Sequence, residues 1–168
     1  MRSSPTGPRA ASAPPPIPAR RIFTVGHSNR SLDELVEVLV DAEVRSVADA
    51  RRYPRSRRYP HFDRAELGGA LLRHGIAYHW LGGEIGGLVE GSYDAYVRTS
   101  AFLAGLRRLE QIAASAATAI LCAERDPQEC HRLRVADELA DRGWEVVHLI
   151  DAGERRSHAP AERQRRLF

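Results

Sequence analysis

The stretch from Thr118 to Asp151, TAILCAERDPQECHRLRVADELADRGWEVVHLID, constrains the fold more than any other, because it spells out a strand, a polar loop, a helix and a second strand. Ala119, Ile120 and Leu121 form a short apolar run suited to a buried strand, and Cys122 to Arg125 follow at its carboxyl end. Asp126 as N-cap, Pro127 in the first turn and Glu129 as the capping-box acid predict a helix from about Pro127. Gly143 is placed to end it, and Trp144 to Ile150 has the β-branched and aromatic content of the next strand. Cys130 then falls inside the helix, where core packing is its default role.

The same alternation runs through the rest of the chain. Arg21 to Gly26 reads as a strand that opens onto His27, Ser28 and Asn29. Ser31 and Glu34 make a capping box for a helix with Leu32, Leu35, Val36, Leu39 and Val40 on its apolar face. Ser46 to Ala50 is a second strand, and Asp63 and Glu66 cap a helix closed by Gly75. Ile76 to Leu81 is a third strand, and one long helix is expected from Ser92 through Ile112. Strands alternating with helices predict a single α/β domain over residues 21–152, an open, mainly parallel five-stranded sheet with helices on both faces. Residues 1–20, rich in Pro, Ala and Ser, read as a disordered tail, and residues 153–168 as a loose polar one.

Composition narrows the chemistry. All 25 basic residues are arginine, which excludes a lysine Schiff base and a Walker-type phosphate loop. A net charge of +3 permits an anionic partner, small molecule or nucleic acid, without requiring one. No apolar run approaches a membrane span, and two cysteines without a secretory h-region suggest a reducing cytoplasm. The Ala- and Arg-rich usage has the look of high-GC bacterial coding.

In a parallel sheet the carboxyl ends of the strands share one edge, where ligands meet free backbone N–H groups. That edge would gather His27 and Ser28, Asp49 and Arg51, Gly82 and Gly83, and Cys122 and Glu124. Cys122 is the candidate nucleophile, with Arg125 or Arg132 holding an anionic substrate and His27 or His131 acting as acid or base. The plainer alternative for Cys122 is a small buried hydrophobe. Glu124 is either a general base or a partner for Arg51, and Asp49 either orients a histidine or binds loop backbone. Gly82 and Gly83 permit close backbone approach but belong to no GxGxxG pattern, so no cofactor is expected. Cys122, Cys130, His131 and His27 include acceptable zinc ligands, yet seven residues between the cysteines is not a standard zinc spacing, and no metal is expected. A reversible disulfide between the two cysteines is the other possibility at that spacing.

The loop ARRYPRSRRYPHFDR offers a different class of function. Its arginines, Arg55 among them, alternate with rings such as Tyr59, a pattern that fits phosphate binding and base stacking as well as a solvated basic loop. Together TVGHSNRSLDELVEVL, ADARRYPRS, YHWLGG and LCAERDPQECHRLRVADEL resemble the DUF488 family, whose biochemical activity is unassigned. AILCAER, the helix after it and GWEVVHLIDAG also resemble the rhodanese superfamily. That likeness implies a sulfur-carrying nucleophile at Cys122, although the loop here is longer and lacks glycine.

Overall fold

The computed structural model describes residues 20–160. Apart from Arg20, the expected amino-terminal tail lies outside that range, as do residues 161–168. Six strands form one sheet: β1 (Arg21–Gly26), β2 (Ser46–Asp49), β3 (Ala77–Trp80), β4 (Thr118–Cys122), β5 (Glu145–Asp151) and β6 (Glu154–Ser157). Their order is β3-β2-β4-β1-β5-β6; the first five run parallel and β6 returns antiparallel beside β5. The α/β class is therefore as expected, with one strand more. Glu154–Ser157 lies in the stretch read as a loose tail because all four residues are exposed and carry no apolar signal. Backbone pairing with β5 recruits them, together with Arg155, whose Nη2 donates to the Asp41 carbonyl (3.1 Å), and a tight turn at Gly153, whose N–H donates to Asp41 Oδ2 (2.9 Å).

Helices cover both faces: α1 (Leu32–Asp41), α2 (Arg64–Arg73), α3 (Gly82–Ile85), α4 (Tyr93–Tyr96), α5 (Ser100–Ser115) and α6 (Arg132–Asp141). Successive strand side chains point to opposite faces, so a sheet covered twice needs apolar residues at almost every position. Phe23, Val25, Val47, Ala119, Leu121, Val147 and Leu149 join α1 and α2 in one core. Ile22, Ala48, Ile120 and Val146 join α3, α5 and α6 in the other. The Ser31/Glu34 capping box forms as read, with Glu34 N–H donating to Ser31 Oγ (3.1 Å) and Ser31 N–H to Glu34 Oε2 (2.6 Å). Among the described residues no helix is long and apolar enough to cross a membrane.

Two helix expectations need correction. The long helix from Ser92 is two, because Thr99 takes an extended conformation and its Oγ1 accepts from Phe102 N–H (3.2 Å), capping α5 afresh. Asp126 does cap a turn, accepting from Gln128 N–H (2.9 Å), but Pro127–Glu129 is a single 3-10 turn. Cys130 is then extended and α6 starts at Arg132.

A buried polar chain crosses the sheet from Thr24 to Asp137. Thr24 Oγ1 lies 2.6 Å from His148 Nδ1, His148 Nε2 lies 3.0 Å from His158 Nδ1, and His158 Nε2 lies 2.9 Å from Asp137 Oδ1. A neutral His148 in this chain accepts from the Thr24 hydroxyl at Nδ1 and donates from Nε2–H to His158 Nδ1. Burial, then the neighbouring His158, pushes the His148 pKa down to about 4. The fold thus favours neutral His148, a contribution complete above the unfolded pKa near 6.5 and lost as pH falls from there toward 4. Thermal melts of His148→Gln should show a lower Tm at pH 7.5 and a smaller further loss between pH 7 and 4.5 than the parent chain shows.

Candidate functional site

The rim is assembled by the placement of β4 between β1 and β2. Gly26 at the end of β1 is in register with Cys122 at the end of β4, and Asp49 of β2 with Leu121. Beyond the strands, His27 N–H donates to the Cys122 carbonyl (2.9 Å) and Ser28 N–H to that of Ala123 (2.8 Å). The loop after β4 therefore folds across the end of β1. Gly26 permits this, since a Cβ there would overlap the Glu124 carbonyl.

Arg132 secures the loop from below. It is fully buried, and its guanidinium donates to the carbonyls of Glu124 and Arg125, the latter at 2.7 Å. Burial draws its pKa down to about 10, against the pull of Asp126 and Glu124, so it remains a cation at neutral pH. A buried charge met by carbonyl dipoles ties the start of α6 to the loop.

The extended Cys130 brings its sulfur back to Cys122, and the two are paired as a disulfide with Cα atoms 7.4 Å apart. His131 Nδ1 sits beside both sulfurs, 3.7 Å from Cys122 Sγ and 3.6 Å from Cys130 Sγ. The ring is held edge-on by Tyr93, with centroids 5.4 Å apart, and presses on Gly87. Its Nε2 is buried, and although the Ala50 carbonyl approaches the ring as an acceptor, no group among the described residues meets Nε2 in full hydrogen-bond geometry. Burial pushes the His131 pKa down to about 4. His27, stacked on Phe62 at 4.4 Å, is likewise lowered to about 4 by burial, and its Nδ1–H donates to the Ser28 carbonyl (3.0 Å). Both rings are neutral at pH 7.

A cleft of about 430 Å³, of small-molecule size, opens over this cluster. His27, Arg52, Arg55, Gly87, Cys122 and His131 are among its walls, with Glu124 at its edge. Larger hollows of about 820, 920 and 640 Å³ occur on the surface, the first of them sharing Tyr53 and Arg55 with the cleft, but none of the three is lined by a cysteine or a histidine. Ser28 and Tyr59 border a shallower depression that shares His27 and Glu124 with the cleft.

Other residues named from the sequence take different positions. Asp49 and Arg51 form a buried ion pair: Arg51 Nε and Nη2 donate to the two carboxylate oxygens (2.9 and 2.8 Å), and Nη1 to the Phe62 carbonyl (2.8 Å). Tyr78 adds its hydroxyl to Asp49 (2.5 Å). This network anchors the start of the arginine loop while Arg51 still borders the cleft. Gly82 packs beneath the Arg51 carbonyl, Gly83 beside the Trp80 ring, and neither reaches the cleft. Arg125 is partly exposed and faces Asp151 at 3.9 Å. Gly87, not singled out in the sequence, is the glycine that touches the cluster. Arg52 was equally inconspicuous within its run, yet its Nε donates to the Gly87 carbonyl (2.8 Å) and fixes that segment over His131.

The family model described as "Domain of unknown function DUF488" matches residues 31–139, well over half of the chain. The protein belongs to this family, and the matched range includes Cys122, Cys130 and His131 while His27 precedes it. No curated protein and no solved structure matches the chain.

Replacing Arg132 by Met leaves the Glu124 and Arg125 carbonyls without their charged donor. Chemical denaturation should show a stability loss of about 2–4 kcal/mol, accompanied by faster reduction of the Cys122–Cys130 pair by a soluble thiol.

Proposed function

We infer that the protein is a thiol enzyme acting on a small anionic molecule bound in the cleft over Cys122. The observation that carries this reading is convergence: Cys122, its partner Cys130, two neutral imidazoles and the three arginines Arg51, Arg52 and Arg55 line one cleft of substrate size. Arg55 is exposed and makes no ion pair among the described residues, which leaves its fork for an incoming carboxylate, sulfonate or phosphate.

A paired second thiol narrows the reaction. An electrophilic sulfur suits such a pair: the Cys122 thiolate attacks an anionic sulfane-sulfur donor, the donor leaves with the bonding electrons, and a Cys122 persulfide remains. The Cys130 thiolate then attacks the Cys122 sulfur, hydrosulfide departs with the electron pair, and the disulfide closes. Two equivalents of a small thiol reopen it, being oxidised to their own disulfide. This is the sulfurtransfer direction implied by the rhodanese resemblance, with an added reductive step.

Nucleic-acid binding is the second reading, favoured by Tyr53, which is 69% exposed beside exposed Arg55, Arg57 and Arg58. A binding surface of that kind loses affinity steeply with salt.

The test is alkylation of the reduced, metal-free chain with peptide mapping. Cys122 should react faster than a model thiol at pH 7, thiosulfate or phosphate should slow the reaction, and Arg55→Ala should weaken that protection about tenfold, or some 1.4 kcal/mol. A Cys122 rate at or below that of a model thiol, unaffected by either anion, would leave the arginine loop and its salt-dependent binding as the function to pursue.

A further inference from the structure

The distances around His131 fit a purpose beyond thiol chemistry. A tetrahedral zinc ion with Zn–S of about 2.3 Å and Zn–N of about 2.0–2.1 Å keeps sulfur and nitrogen about 3.6 Å apart. Nδ1 of His131 lies 3.7 and 3.6 Å from the two sulfurs. The three donor atoms all lie within 4.8 Å of one another. Once the disulfide is reduced, a Cα separation of 7.4 Å, wider than the roughly 4.4–6.8 Å usual for bridged cysteines, leaves the two sulfurs room to part around an ion.

We propose that the reduced chain binds one zinc-type divalent ion through Cys122 Sγ, Cys130 Sγ and His131 Nδ1. Two thiolates and an imidazole select a borderline-soft ion over magnesium or calcium. No fourth histidine, cysteine or carboxylate completes the cluster among the described residues. Since all three ligands line the cleft, the fourth position is left to water or substrate, as in catalytic zinc sites. The ligand spacing in sequence is unusual because the 3-10 turn and extended Cys130, and not a CxxC knuckle, bring the sulfurs together. Gly87 leaves room at Nδ1, where an added Cβ would stand 2.8 Å away. Binding releases the two thiol protons, and it excludes the disulfide because both sulfurs must be reduced. The inference does not depend on the thiol-enzyme reading, since a metal-bound thiolate is a ligand and not the attacking atom.

The experiment titrates the reduced full chain with Zn²⁺ against a chromophoric chelator, and separately with Co²⁺, following thiolate-to-cobalt charge transfer and the visible bands of a tetrahedral site. One ion per chain is expected, with no binding after oxidation. His131→Ala and Gly87→Ala, checked for folding by circular dichroism, should weaken binding by at least the roughly 10–100-fold that altered outer-shell partners cost. A folded, reduced chain that takes up no ion overturns the site, and so does an unchanged affinity and cobalt spectrum in His131→Ala. Neither result alters the alkylation of metal-free protein, so the failure of one reading is distinguishable from the failure of the other.

Discussion

The buried guanidinium of Arg132 is the contact on which the geometry of the cleft depends. A cation removed from water must be met by dipoles or opposite charge, and here the carbonyls of Glu124 and Arg125 meet it. Those carbonyls are thereby turned inward, beneath the loop. Cys122 at the near end and Cys130 at the far end are left facing each other across the cleft floor. The interaction couples the loop to α6, so that the position of the sulfurs is set by a helix and not by a free turn.

The sheet order supplies the rest. With β4 inserted between β1 and β2, residues distant in sequence meet at one edge: His27 after β1, Arg51 and Arg52 after β2, Cys122 ending β4. The buried Asp49–Arg51 pair fixes the arginine loop at its base, and Arg52 carries the Gly87 segment over His131. Neutral imidazoles follow from that enclosure, because burial disfavours the charged form of each ring.

Much of the fold could be read from local sequence. The parallel strands are apolar on both faces and the Ser31 box caps its helix as its residues dictate. His27, Cys122, Glu124 and His131 belong to one cleft because parallel strands end on one side. What stayed hidden depends on contacts remote in sequence. The helix signals at Asp126, Pro127 and Glu129 are genuine but last one turn, since Cys130 must be extended to reach Cys122. That extension also makes a cysteine expected in a helix core into a partner at the site. Strand β6 has no apolar signature, and the part played by Gly87 depends on a histidine 44 positions later, from residue 87 to residue 131.

The central claim is that Cys122 and Cys130 act as one unit at the cleft floor. The most direct measurement is peptide mapping by mass spectrometry after equilibration across a graded series of thiol–disulfide buffers, with free thiols trapped by alkylation. The account predicts a single cooperative transition between a cross-linked 122–130 peptide and two alkylated cysteines. Two thiols that remain separately alkylated in every buffer, with no cross-linked peptide, would contradict it.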